Sequence, residues 1–184
     1  MKRMFGLLSV CALFAGFVVA AETVKSGLPV GEDVPAFYVT DITGPSAGKA
    51  PLCYRCKYSN RPVVTIFTHK VDENITSLVA QIDKEVGAHK DDKMAAFLVL
   101  LSDKPKEEAG KLKDVAKKAE VKNTPLTTYE DSEGPAGYKL SKDAETTVMM
   151  WVEGKVKVNH AFAKGQLDKK AVEAIVADTK KILN

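Results

Sequence analysis

Cys53 and Cys56 stand three residues apart in the run Pro51-Leu52-Cys53-Tyr54-Arg55-Cys56-Lys57-Tyr58. That spacing lets two thiols close a small, strained ring that opens and closes by exchange with an outside thiol. The positive charges of Arg55 and Lys57 favour the thiolate that does the attacking. In this reading Cys53, the more N-terminal of the two, attacks and Cys56 resolves, with no cofactor beyond the disulfide. Two other uses of the pair stand beside it. A disulfide can simply pin a surface loop, or the thiolates can hold zinc or copper, which would require further sulfur or imidazole ligands. Lys57 rather than His follows Cys56, which excludes covalent attachment of a c-type haem. Closing so short a loop adds little stability in the chain-entropy model, so stabilisation alone is a weak reason for the bridge.

The compartment follows from the first residues. Lys2 and Arg3 precede an apolar run from Met4 to Ala21 that ends in Val18-Val19-Ala20-Ala21-Glu22. A charged start, an apolar middle and small residues at the end form a signal peptide, with cleavage expected near Ala20 or Ala21. An uncleaved anchor is the alternative, since the run is nearly long enough to span a bilayer. Val10 before Cys11 argues against a lipoprotein box. Removal of residues 1–21 would take Cys11 away and leave Cys53 and Cys56 as the cysteines of an exported chain, periplasmic or secreted. In an oxidising compartment they are expected to bond to each other. The full chain has 27 Lys and Arg against 24 Asp and Glu. Without the leader it is close to neutral, and its charges interleave along the helices. Nothing in this balance favours nucleic acid or a membrane surface as partner. About 160 residues then remain, enough for one domain with a real core.

The elements that must position the cysteines are read from periodicity. Residues 22–34 form an irregular lead-in, and Ala36 to Thr40 a short strand. The cysteines fall in a punctuated loop between Gly44 and Pro62. Val63 to Thr68 and Met94 to Leu101 are continuous apolar runs, as expected of strands buried on both faces. Asp72 to Val86 is a helix, with Gly87 as its stop, and Pro105 to Val121 a second, more charged one. Pro125 to Tyr129 is a third strand, Asp131 to Gly137 a turn, and Tyr138 to Leu140 a small extra element. Thr146 to Val152 turns at Glu153-Gly154 into a strand from Lys155 to Ala161. Leu167 to Leu183 is the closing helix. This alternation predicts an α/β sandwich of three layers, with a mixed sheet, helices on both faces and a C-terminal hairpin.

Several segments in this order resemble the thioredoxin-like superfamily, and within it the redoxin branch of peroxiredoxins and exported thiol–disulfide exchange proteins. Gly31-Glu32-Asp33-Val34-Pro35-Ala36-Phe37 is similar to the redoxin opening, and Arg61-Pro62-Val63-Val64-Thr65-Ile66-Phe67 to its central strand. Asp131-Ser132-Glu133-Gly134 with Tyr138-Lys139-Leu140, and the hairpin around Glu153-Gly154-Lys155, complete the likeness. The resemblance implies a thioredoxin-like domain over 35–184 and protein thiols or disulfides as partners. Two departures stand out. The family's catalytic cysteine follows the central strand, where this chain reads Thr68-His69-Lys70-Val71-Asp72, and Glu145 stands where the family has a cis-proline. Because the Cys-x-x-Cys precedes the central strand, it is expected at the opposite pole of the sheet, roughly 20 Å away at about 3.3 Å per residue, unless the Gly44–Pro62 loop folds back over the sheet. The family mechanism cannot be copied onto it. His69 lies where this fold places functional groups and could serve as base or ligand, a solvated loop histidine being the plainer alternative. His89, His160 and Trp151 are read as structural. Asn74-Ile75-Thr76 fits a glycosylation sequon, a pattern common by chance.

Overall fold

The computed structural model describes residues 24–183. The leader at 1–21, with Cys11, lies outside the described residues. Six strands form one mixed sheet: β1 (Thr40–Asp41), β2 (Val63–Thr68), β3 (Ala95–Leu101), β4 (Leu126–Tyr129), β5 (Thr146–Val152) and β6 (Lys155–Phe162), in the order β1-β4-β3-β2-β5-β6. Strands β2, β3 and β4 are parallel, whereas β5 runs antiparallel to β2 and β6 antiparallel to β5. Every residue of β2 and β3 is buried, which explains why their sequences are continuous apolar runs rather than alternating ones.

Helices α2 (Glu73–Ala88) and α3 (Pro105–Lys118) make the two crossovers β2-α2-β3 and β3-α3-β4. Both crossovers step in the same direction across the sheet. Right-handed connections therefore place both helices on one face. Helix α4 (Lys169–Asp178) joins them there, so Leu78, Ile82, Leu112, Val172 and Ile175 share one core with Ile66 and Leu98. The opposite face is covered differently. Leu28, Val34, Phe37 and Val39 from the lead-in and first strand region, Tyr54 and Tyr58, and Tyr138 from a short 3-10 turn at Ala136–Tyr138 pack on Val63, Phe67, Phe97 and Trp151.

The lead-in is irregular yet fully engaged. Gly31 N–H donates to Val156 O, Val156 N–H to Glu32 O and Val34 N–H to Gly154 O, so it covers the open edge of β6 near the hairpin. Further back, Asn159 Nδ2 donates to Ser26 O and Leu28 O at 2.9 Å each, and the Ser26 and Thr147 hydroxyls lie 2.7 Å apart. Between them Gly27 has φ +86°, and a Cβ there would meet Thr147 and Asn159 at 2.9 Å. Only glycine fits this clasp.

The hairpin turn has positive φ at both Glu153 and Gly154, which matches the right-handed twist of β5 and β6. A register shift between Met150 and Trp151 skips Lys157. That bulge turns Val156 toward Trp151 and Val158 toward the helical face, so two residues that would share a face serve both cores.

Besides small shifts at element ends, such as α3 stopping at Lys118 and the element expected at Tyr138 to Leu140 falling at Ala136–Tyr138, four differences from expectation stand out. The strand expected over Ala36 to Thr40 is reduced to Thr40–Asp41 plus a bridge between Val39 and Leu52. Helix α2 passes through Gly87 and ends at Ala88. The last helix breaks at Asp178 into a 3-10 turn over Thr179–Lys181. The cysteines, expected in a loop, lie at a short helix.

Candidate functional site

That helix is α1 (Tyr54–Tyr58), too short to be stable by itself and held by what its side chains touch. Tyr54 stacks on Phe97 with centroids 5.2 Å apart, Tyr58 packs 5.2 Å from Tyr54, and both rings are buried. The Tyr54 hydroxyl donates to Asp41 Oδ2 at 2.8 Å. Asp41, itself buried, also accepts the Gly44 and Ser46 amides at 2.8 Å, tying β1, the following turn and α1 into one knot. Arg55 Nε donates to Val34 O and its Nη1 to Ser59 O. The Lys57 ammonium lies 5.4 Å from the centre of the Tyr54 ring, and the Arg61 guanidinium 5.0 Å from that of Tyr58. Burial first, then the bond to Asp41, pushes the Tyr54 phenol far above its ordinary value. Burial does the same to Tyr58 and Tyr138.

Cys53 and Cys56 are bonded to each other. Cys53 is the N-cap of α1, with extended backbone, and is only 8 % exposed. Its Sγ accepts the Cys56 amide at 3.0 Å, where a serine or aspartate oxygen would usually stand. Cys56 is exposed. Beyond it, the second half of α1 and the following turn open into a groove of about 650 Å³ lined by Lys57, Tyr58, Arg61, Lys93 and Glu153 among others. Arg61 is fixed on one wall by donating to Lys93 O and Met94 O.

His69 is elsewhere. It follows the last residue of β2, and its amide donates to Glu145 O at 3.0 Å. Next to it the Thr68 and Thr146 hydroxyls lie 3.2 Å apart. Burial lowers the affinity of His69 for a proton, and the Glu145 carboxylate opposes that shift. His69 and Glu145 therefore lie at the C-terminal end of β2, whereas the cysteines sit on a segment folded back over the sheet face, where Leu52 bridges Val39 and Tyr54 stacks on Phe97, in register with Thr65 of mid-strand β2. No cis peptide bond occurs among the described residues, and so none at Glu145.

The remaining candidates are structural. His89 lies 2.9 Å from Asp92, His160 lies 3.0 Å from Asp178 across the β6–α4 boundary, and Trp151 is fully buried. Among the described residues no three His, Cys, Asp or Glu side chains gather as a metal would require. No helix of the described residues is long and apolar enough to cross a membrane.

The sequence reading did not find Asp41, Tyr54, Tyr58 or Arg61. A signal was present: Tyr54 and Tyr58 are four apart, the spacing of one helical face. Pro51 and Ser59-Asn60-Arg61-Pro62 on either side masked it as a loop.

No family model matches the chain, and no curated protein sequence does. Solved structures do. A candidate protein disulfide isomerase from Bacteroides thetaiotaomicron superposes with a TM-score of 0.64 at 19 % identity, covering 87 % of this chain and 94 % of that one. Peroxidoxin BcpB from Mycobacterium tuberculosis gives 0.58 at 17 % identity, covering 84 % and 98 %. A candidate thiol:disulfide interchange protein DsbE from Chlorobium tepidum gives 0.56 at 15 % identity, covering 83 % and 99 %. At such identities the likeness speaks for architecture, and with the strand order above it shows that the chain has a thioredoxin-like fold, carrying its Cys53–Cys56 disulfide before the central strand.

Proposed function

We propose that the protein is an exported thiol–disulfide oxidoreductase that works through Cys53 and Cys56 in their displaced position. The observation that carries this reading is a bonded pair presented on a surface helix, with Cys56 exposed and the next residue, Lys57, lining a groove. Partners are protein thiols or disulfides, and the groove gives the segment flanking the reacting sulfur a place to lie. The signal peptide read at 1–21 supports export, and an oxidising compartment suits the bridge. The reaction moves two electrons and needs no cofactor.

A rival reading, a silent binding module pinned by a structural disulfide, draws on the burial of Cys53 and on the absence of cysteine at Thr68–Asp72. Redox titration of the purified chain, together with insulin reduction and refolding of a reduced substrate, decides between them. A potential in the thioredoxin range, about −270 mV or above, with catalysis abolished in the Cys53→Ser, Cys56→Ser double variant, supports the oxidoreductase. A pair reduced only below about −300 mV, with no catalysis, leaves the binding module.

A further inference from the structure

We infer that exchange at this site runs opposite to the order expected from the chain: Cys56 forms the mixed disulfide, and Cys53 is the leaving and resolving sulfur. This deepens the proposed oxidoreductase reading and rests on it. A thiolate attacks a disulfide in line with the S–S bond, from the far side of the sulfur it hits. For Cys56 that far side faces outward, since the residue is exposed on α1. For Cys53 the far side is occupied by protein, since the residue is 8 % exposed and caps a helix whose Tyr54 is stacked on Phe97.

The hydrogen bonding agrees with the steric argument. The Cys56 amide already points at Cys53 Sγ from 3.0 Å. When the bond to Cys56 breaks, negative charge develops on Cys53, and the same N–H then serves a thiolate, a stronger acceptor. A stabilised leaving thiolate departs faster. Nothing equivalent holds Cys56 Sγ among the hydrogen bonds of the described residues, which leaves it as the sulfur to be attacked.

The step balances with a partner dithiol as reductant. Its thiolate bonds to Cys56 Sγ while the Cys53–Cys56 bond breaks and Cys53 takes the electron pair. The partner's second thiolate then attacks its own bridged sulfur and releases Cys56. The partner leaves as a disulfide, having lost two electrons, and both cysteines of this chain end as thiols. In the oxidising direction, Cys56 thiolate attacks a partner disulfide and Cys53 displaces the partner.

Two measurements test the order. First, the oxidised wild-type chain is treated briefly with mercaptoethanol, quenched with acid and alkylated. Trypsin cleavage after Arg55 then places the two cysteines on separate peptides. The mercaptoethanol adduct is expected on Cys56 and the alkyl group on Cys53. Second, the Cys53→Ser and Cys56→Ser variants are reacted with dithiodipyridine, an uncharged disulfide. Cys56 in Cys53→Ser is expected to react about tenfold faster than Cys53 in Cys56→Ser. An adduct on Cys53, or equal rates in the two variants, overturns the order while leaving the oxidoreductase reading intact. If the wild type exchanges with no protein dithiol but the variants keep their tenfold difference, the oxidoreductase reading falls and the order of sulfur reactivity stands. Should a variant misfold, the wild-type adduct decides the matter.

Discussion

Replacing Tyr54 by Phe removes one hydroxyl and keeps the ring on Phe97, which makes it a clean probe of the knot beneath the disulfide. At neutral pH the lost bond is to a buried carboxylate, and hydrogen bonds to charged groups contribute about 1.5–3 kcal/mol. For a domain of this size that lowers Tm by roughly 3–12 °C. Alkaline pH should shrink the difference. The Tyr54 phenol is held neutral in the fold by burial and by Asp41, well above the ordinary value of 10.0. In the unfolded chain it ionises near that value. Above pH 10 the native wild type therefore binds more protons than its unfolded form, and its stability falls as pH rises. The contribution from Tyr54 is intact below pH 10 and declines by about 1.4 kcal/mol for each further pH unit. The Tyr54→Phe variant has no phenol at this site and so lacks that dependence, while every other ionisable residue is common to both chains. Urea unfolding at pH 7, 9 and 11, followed through the single tryptophan, Trp151, reads the difference, since Trp151 lies edge-on to Phe97 at 6.1 Å. The expected penalty is constant from pH 7 to 9 and about 1.4 kcal/mol smaller at pH 11. A penalty unchanged across that range would mean that the phenol ionises equally in both states, and Asp41 and burial could not then be what holds α1 in place.

Asp83 accepts the Lys122, Asn123 and Thr124 amides, and Asp83→Ala should cost about 3–5 kcal/mol by denaturant titration, with Asp83→Asn recovering part of it. Gly154→Ala would place a Cβ against the Arg55 guanidinium at positive φ; a loss of about 1–3 kcal/mol, with faster reduction of the Cys53–Cys56 bridge, is expected from thiol-quench kinetics. His69 is held neutral by burial, so its NMR titration midpoint should lie below 6.5 and the native state should lose stability as pH falls through the unfolded value. That midpoint should not move when the cysteines are reduced, because burial and Glu145, not α1, set the proton affinity of His69. A shift would argue that the two sites communicate.

The centre of the sheet was legible because burial on both faces leaves no room for charged residues, and its polar residues there are threonines, themselves β-formers. Val63 to Thr68 and Thr146 to Val152 were read with their observed bounds, and Glu153-Gly154 gave the turn. The order of elements gave the architecture for the same reason. The site was half legible. Cys53 and Cys56 followed from their spacing. Helix α1 did not, since five residues carry too little periodicity, and its stability comes from Asp41 and Phe97, which are remote in the chain. Nor could spacing say which sulfur faces outward. That depends on Cys53 taking the cap position, a consequence of how Tyr54 packs.

The clasp of Ser26 and Leu28 by Thr147 and Asn159 joins residues more than a hundred positions apart. One wall of the molecule is thus laid by the earliest described residues, and its fastening arrives among the latest. A ribosome or a translocation channel that has released only the first hundred residues has released a chain that cannot yet latch. Trimming or tagging close to Ser26 would act on the last act of assembly, not on a loose tail.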